Sequence, residues 1–401
     1  MNIIEKPSPV FVTRMAFFMS IMAISIDAIL PALNQISSGL NIHSAQESQL
    51  IISIVFMGMA VGILLYGPLS DAWGRKKPLT LGISIFVVGT LISYFSASFS
   101  VMLIGRFLQG FGASACRVIS IAMIRDKYRG PSMGKVMSLI MMVFILVPAI
   151  APTLGQFILS FGDWHYIFLS FLVLAVAALF ILCFFQSETL ETEARRSFSI
   201  ENLKTGIVET LRNPISRNYT IISGLVFGAF VGYISMAQPL LQNTYQLGDK
   251  FSYYFGSLAL FLGVSSFLNS KLLEFYSMSR LVKEALKYIF IFSVIFLIIL
   301  FVSHGEASLI AVLIYLGSSF LCIGILFGNL NALAMEPLGH IAGLANSVIS
   351  SIQTLIGFII GGTIASLFEG SVYPLVFGFF VMSLISLVFL RHSEKKYFLN
   401  T

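Results

Sequence analysis

Gly67-Pro68-Leu69-Ser70-Asp71-Ala72-Trp73-Gly74-Arg75-Lys76-Lys77-Pro78-Leu79 is the stretch on which the reading of this chain turns. It separates two apolar runs, approximately 47–69 and 78–97. Each has the length of about 20 residues that a membrane-crossing helix needs. Two helices must therefore reverse in a very short loop, and glycine permits the tight turn. Asp71 and Arg75 stand at i and i+4, a spacing at which side chains pair on one helical turn. Arg75, Lys76 and Lys77 are successive cations, which hold a loop on the cytoplasmic side. A generic charged loop has no need of a glycine at each end.

Working outward, the whole chain has the same character. Of 401 residues, 57% are hydrophobic and 10% charged. Mean hydropathy is +0.92. A soluble domain carries about 25% charged residues, so too few charges are present to coat a water-facing surface. A soluble enzyme, a nucleic-acid binder and a disordered chain are excluded on this ground.

Twelve apolar runs of crossing length can be drawn: 12–36, 47–69, 78–97, 99–124, 133–160, 164–186, 218–244, 251–274, 282–303, 307–333, 341–367 and 371–391. They are longer than the strands of a membrane barrel and apolar all round, which predicts helices. The first run reads as a true span rather than a cleaved leader, because it is long and contains Asp27 and Pro31. Between spans 6 and 7 lies a long polar stretch, Gln186 to Arg217. The expected organisation is an all-α membrane protein of two six-helix bundles, residues 1–186 and 218–401, joined by a cytoplasmic linker over 187–217. Within the linker, Ile200, Leu203, Ile207, Val208 and Leu211 recur at helical spacing over 199–213. That predicts an amphipathic helix lying on the membrane surface, with a solvated tether as the alternative.

Lys and Arg in the loops set the orientation. With the N-terminus in the cytoplasm, 21 of the 24 fall on that side or at its edge. These are Lys6, Arg14, Arg75, Lys76, Lys77, Arg125, Lys127, Arg129, Lys135, Arg195, Arg196, Lys204, Arg212, Arg217, Lys271, Arg280, Lys283, Lys287, Arg391, Lys395 and Lys396. Both termini are expected in the cytoplasm. The surplus of +6 is thus a set of topology anchors and implies no nucleic acid. Cys116, Cys183 and Cys322 lie far apart inside apolar runs and read as buried hydrophobes. The five histidines neither cluster nor pair at ligand spacing, so no metal is expected.

The loop over Gly67–Leu79 resembles the signature of the major facilitator superfamily, G-x-L-x-D-x-x-G-R-[RK]-x-x-L, at every defining position. Asp27-Ala-Ile-Leu-Pro31-Ala-Leu33 is similar to the span-1 motif of the twelve-span drug:proton antiporters. Arg106-Phe-Leu-Gln109-Gly110 is similar to the R-x-x-Q-G motif of span 4. Ala151-Pro152-Thr-Leu-Gly155 resembles the antiporter motif G-P-x-x-G-G, but Ala151 and Gln156 depart from it. Arg125-Asp126, Trp164-His-Tyr-Ile-Phe168, Glu188-Thr-Leu190 and Ala342-Gly343-x-Ala345-Asn346-Ser347 are similar to the Bcr/CflA, bicyclomycin-resistance-type subfamily.

The resemblance implies two bundles related by an axis along the membrane normal, with substrate held between them near the midplane. It implies that Gly67, Asp71, Gly74, Arg75 and Asp126 form a cluster that locks the outward-facing state. It gives Arg106 a part in proton transfer. It also implies that the helices bearing Gly58-x-x-x-Gly62 and Gly357-x-x-x-Gly361 pack on each other.

Ionisable groups inside the membrane cost about 2.5–3.5 kcal/mol each, so they point to function. Asp27 is an acid deep in a span. It reads either as a proton- or substrate-coupling carboxylate or as a fixed salt bridge or cap at the break before Pro31. Arg106 is its candidate partner at similar depth; the alternative is a buried arginine satisfied by backbone carbonyls and Gln109. Arg117 lies 11 residues on, on the same helix face, where it hints at an anionic or zwitterionic substrate; the alternative is a snorkelling side chain or a partner for the Asp126 cluster. The remaining cavity candidates are Gln109, Tyr233, Gln238 and Asn329, with Phe227, Phe230, Tyr253 and Tyr254 as aromatic lining and Gln242, Asn243 and Asn331 as further polar groups. Pro152 and Gly155, with Pro148, mark span 5 as a bent packing helix.

The expected function is proton-coupled export of a small amphiphilic compound across a bacterial inner membrane by a monomer, with the proton gradient as driving force and no cofactor. The alternative is proton-coupled import of a nutrient or iron chelate on the same fold. An intramembrane enzyme or receptor finds no support: there is no HExxH, Gly-x-Ser-x-Gly or phosphate-binding loop.

Overall fold

The structure, a computed structural model, describes residues 8–42, 44–128, 130–195 and 198–398. Of the anchoring cations, Lys6, Arg129 and Arg196 lie outside the described residues. Among the described residues the regular structure is helical throughout.

The first half runs α1 (Pro9–Asp27), a 3-10 turn (Leu30–Ala32), α2 (Leu33–Gly39), α3 (Ala45–Trp73), α4 (Lys76–Tyr94), α5 (Phe99–Lys127), α6 (Gly130–Leu159) and α7 (His165–Phe185). The linker carries α8 (Ile200–Arg212). The second half runs α9 (Pro214–Gln238), continued by a π turn (Pro239–Thr244), then α10 (Phe251–Leu272), α11 (Met278–Val302), α12 (Leu309–Met335), α13 (Ala342–Ser366) and α14 (Tyr373–Phe398). Every apolar run drawn from the sequence is helical.

Among the described residues, ten helical stretches are long and apolar enough to cross a membrane. One of them, Leu309–Ser366, has 58 residues and holds both α12 and α13. Its kink lies at Leu338, whose backbone leaves the helical region. Within α6, Leu146–Leu159 forms a shorter apolar helix. The exposure pattern fits lipid. On α7, Ile167, Phe171, Ala175, Ala178 and Leu182 are buried while Val173, Val176, Phe180 and Phe184 are exposed. Both sets are apolar, and only packing distinguishes the two faces.

The chain divides into two compact units, Met1–Ile42 with Ile54–Leu203, and His43–Ser53 with Lys204–Thr401. The division in the linker falls inside α8. In the first unit, α4 and α5 form an antiparallel hairpin packed backbone to backbone. A Cβ on Gly112 would stand 2.4 Å from the Gly82 carbonyl oxygen, and one on Gly105 2.8 Å from that of Gly89. Without a hydrophobic drive between helices in lipid, close approach of this kind holds them together. In the second unit, α9 and α13 pack in the same manner. Gly224, Gly228 and Gly232 face Ile356, Ile360 and Ile364, and Gly357 and Gly361 face Phe227 and Val231.

Gly58 and Gly62 are likewise seated within their own unit, against Phe107, Phe111 and Ser114 of α5. Each of the two glycine pairs singled out in the sequence thus lies against a helix of its own unit.

The amphipathic helix expected over 199–213 forms as α8. Its docking face is Gly206 and Thr210 rather than the apolar stripe. A Cβ on Gly206 would clash with the Leu344 side chain, and Glu209 meets His340 at 2.5 Å. Ile200, Val208 and Leu211 stay exposed.

Candidate functional site

The interior of the first unit is organised around the break in α1. Pro31 lacks an N–H, and its ring excludes the carbonyl of the residue four before it, Asp27. The α-helix accordingly ends at Asp27, and the chain passes through the 3-10 turn. Gly155 of α6 packs beside this break: a Cβ there would lie 2.0 Å from the Ala28 carbonyl oxygen. Pro152, also buried, lies one turn before it on α6 and is accommodated inside the helix. The degraded antiporter-like motif therefore still supplies the small residue that the break needs.

Arg106 enters from α5 and is fully buried. Its Nη1 donates to the Ser25 carbonyl oxygen at 2.9 Å and to Gln109 Oε1 at 2.7 Å. Gln109 Nε2 donates to Thr90 Oγ1 at 2.9 Å, and Thr90 Oγ1 donates to the Phe86 carbonyl oxygen. A continuous polar chain thus links α1, α5 and α4. Asp27, two residues after Ser25, is buried, and its Oδ1 has no hydrogen-bond partner among the described residues. No Asp27–Arg106 ion pair forms among the described residues. In this arrangement Arg106 Nη1 is engaged by a backbone carbonyl and by Gln109. Gln109, read as a cavity residue, is fully buried with both ends of its amide engaged. Arg117, farther along α5, is half-buried.

The loop cluster lies at the other end of this unit. Gly74 has φ +86°, a left-handed conformation that favours glycine. Arg75 follows it and is buried. Its Nε and Nη2 donate to Asp126 Oδ2 and Oδ1 at 2.8 and 3.0 Å. Its Nη1 donates to Asp71 Oδ1 at 2.5 Å and to Ser70 Oγ at 2.9 Å. Burial works against the guanidinium charge, but the hydrogen bonds and charges of Asp126 and Asp71 outweigh it, so the pKa of Arg75 is raised. Ser70 Oγ also reaches the Gly67 carbonyl oxygen. Gly67, Asp71, Gly74, Arg75 and Asp126 are therefore brought together.

In the second unit, Tyr233 is buried among rings, Phe320 at 4.8 Å and Phe255 at 5.8 Å between centroids. Gln238 is buried and donates to Gln242 across the start of the π turn. Asn329 and Asn269 exchange hydrogen bonds at 2.8 and 3.5 Å, linking α12 to α10. Asn331 donates to Asn346. Phe227 faces Gly357, whereas Tyr253, read as lining, is 71% exposed. The rings gather about Tyr233, whereas the amides form separate pairs, Gln238–Gln242, Asn269–Asn329 and Asn331–Asn346.

Sequence reasoning missed Ser25, Thr90 and Asn269, and quoted Glu188 and Thr189 without a role. Thr90 had a signal: a hairpin folded about residues 95–98 places position 90 opposite the Gly105–Gln109 turn. Asn269 had none, since its partner lies 60 residues away.

The family model described as Major Facilitator Superfamily matches residues 11–362. An uncharacterized MFS-type transporter, YdgK of Bacillus subtilis, is 30% identical over 353 residues, covering 86% of this chain and 87% of its own. A bicyclomycin resistance protein homolog of Haemophilus influenzae is 26% identical over 383 residues, covering 93% of each. Among solved structures, the xylose transporter XylE from E. coli in a partially occluded inward open conformation superposes with a TM-score of 0.72. It is 14% identical and covers 96% of this chain and 99% of that chain, a likeness of fold. Charge-poor helices, the looped charge cluster and these matches converge: the chain belongs to the Major Facilitator Superfamily and is a multi-pass membrane transporter of small molecules, not an enzyme.

Proposed function

We propose that the protein is a proton-coupled exporter of a small amphiphilic compound, working as a monomer in a bacterial inner membrane. In this reading twelve helices cross the bilayer, both termini face the cytoplasm, and the two six-helix bundles expose the substrate alternately to each side. The observation that carries it is Asp27: a buried carboxylate at the break of α1, with one oxygen that has no donor among the described residues, next to the Ala28 carbonyl on which Gly155 packs. Such an oxygen is available to a proton. One proton moving down 100 mV supplies about 2.3 kcal/mol, so no cofactor is required. The Asp71–Arg75–Asp126 cluster then serves as the lock of the outward-facing state. The bicyclomycin resistance homolog in Haemophilus influenzae favours export of a toxic compound.

The test uses inverted membrane vesicles with an imposed proton gradient and bicyclomycin and ethidium as probes. The wild type discharges the gradient on probe addition, and Asp27→Asn does not, at equal protein level. Undiminished proton-driven transport by Asp27→Asn sinks the assignment. Import by symport is the second reading, favoured by the departures Ala151 and Gln156 from the antiporter motif. It predicts the opposite direction of proton movement in the same vesicles.

A further inference from the structure

Glu188 is where α7 hands over to the linker, and its carboxylate accepts four backbone N–H groups. Oε1 takes those of Arg75 at 2.9 Å, Thr189 at 2.9 Å and Leu190 at 3.1 Å, and Oε2 takes that of Lys76 at 3.1 Å. Two of these donors open α4. The first N–H groups of a helix have no carbonyl partner within it, and an anion is stabilised there. The contact also explains Gly74 from a second direction. A Cβ at that position would stand 2.6 Å from Glu188 Oε2, so any side chain would push the carboxylate out. Burial alone moves the Glu188 carboxyl upward, but the four N–H donors outweigh it and hold it below its ordinary value.

Thr189, the next residue, reaches the other half of the ion pair. Its Oγ1 donates to Asp126 Oδ2 at 2.9 Å, the same oxygen that receives Arg75 Nε. Two consecutive residues of the linker therefore hold the two partners of one salt bridge, Glu188 by the backbone of Arg75 and Thr189 by the carboxylate of Asp126. Lys76 Nζ adds a contact to the Cys183 carbonyl oxygen at the end of α7.

We propose that Glu188 and Thr189 are positioning residues of the cytoplasmic lock. Glu188 fixes the backbone of Arg75 so that its guanidinium forks onto Asp126, and Thr189 fixes the Asp126 carboxylate that receives it. The linker is then a working arm of the cluster and not a passive tether: whenever the Arg75–Asp126 pair is closed, the strap after α7 is clamped, and opening releases both. This rests on the reading of Asp71–Arg75–Asp126 as a lock.

The experiment uses the full-length protein in nanodiscs, with Cys183, the exposed native cysteine, replaced by serine. Spin labels at Lys77→Cys and Arg280→Cys, both on exposed sites, report the cytoplasmic distance distribution by pulsed electron resonance. Arg75→Ala is expected to shift the distribution toward longer distances. Glu188→Gln, which keeps the size but loses the charge and two acceptor sites, and Thr189→Val are expected to shift it in the same direction. Thr189→Ser, which keeps the hydroxyl, should match the wild type. Hydrogen exchange at the amides of Arg75 and Lys76 should quicken about tenfold or more in Glu188→Gln, which separates loss of the clamp from global unfolding. If Arg75→Ala shifts the distances while Glu188→Gln and Thr189→Val leave both distances and exchange unchanged, the positioning role is overturned and the lock stands. If Arg75→Ala itself shifts nothing, the lock reading falls and this proposal with it.

Discussion

Arg75 holds Asp126 by a two-point fork, Nε to Oδ2 and Nη2 to Oδ1, while a third nitrogen of the same guanidinium reaches Asp71. The Asp126 side chain is 14% exposed and that of Asp71 44%. Water therefore screens one ion pair far more than the other.

The unequal screening predicts an unequal cost. Removing one partner of a buried pair costs up to about 3–5 kcal/mol, whereas an exposed pair contributes about 0–1 kcal/mol. Asp126→Asn should lower the melting midpoint in detergent, and impair transport, more than Asp71→Asn. Arg75→Lys should not restore function, because a point charge cannot make the fork. Equal damage from Asp71→Asn and Asp126→Asn would show that burial does not rank these contacts.

The chain from Thr90 through Gln109 to Arg106 predicts that an isosteric change remote from any charge disturbs the arginine. Thr90→Val removes the acceptor of Gln109 Nε2 and strands that donor, at about 1–3 kcal/mol. Thr90→Ser should stay near wild type in thermal stability. Transport by Thr90→Val should fall in step with that by Gln109→Ala. A silent Thr90→Val would refute the brace.

Glycines at backbone contacts predict a sharp contrast. Alanine at Gly110 would put Cβ 2.0 Å from the Val55 carbonyl oxygen, and at Gly155 2.0 Å from that of Ala28. Backbone cannot swing aside as a side chain does, so each substitution should cost about 1–3 kcal/mol or more. Gly328, inside α12, has nothing within 4 Å of the same position among the described residues. Gly328→Ala should be neutral or stabilising by about 0.5–1 kcal/mol. Fluorescence-detected melting of the three variants decides it.

The Asn269–Asn329 pair predicts coupling. If the two amides chiefly serve each other, Asn269→Ala and Asn329→Ala should each destabilise, and the double variant should be little worse than either. Coupling in membrane helices averages about 0.6 kcal/mol. Additive losses would mean that Asn329 works with another partner.

Glu188 gives a pH dependence whose sign is set by its depressed carboxyl. A group bound more tightly as an anion in the folded state stabilises above its ordinary value, about 4.3, and loses that contribution as pH falls through the lower folded value. Protection of the Arg75 and Lys76 amides, corrected for intrinsic exchange, should stay flat from pH 8 to about 5 and decline only in stronger acid. A decline already between pH 7 and 6 contradicts the assignment.

Features that depend on position along the chain were legible before any helix was assembled. Run lengths followed from the thickness of lipid and from the need of each backbone amide for a partner inside it. The Gly67–Leu79 loop announced its reversal and its pairing of Asp71 with Arg75, because i and i+4 meet on any helix. The break after Asp27 was legible from Pro31, since the proline ring acts on its own neighbours. Tertiary structure decided what depends on how helices turn about their axes. Whether Arg106 meets Asp27 or the Ser25 carbonyl, whether Gln109 faces a cavity or Thr90, and whether Asn329 awaits a ligand or holds Asn269 are matters of rotation by one residue, about 100°. In a chain that is apolar on every face, hydropathy does not distinguish those rotations. The small residues that let backbones touch do, at Gly82 with Gly112 and Gly155 with Ala28, and their partners appear only when the helices are assembled. Glu188 marks the limit most clearly: one of several acids in a charged linker, given its place by four amides, two of them more than a hundred residues away.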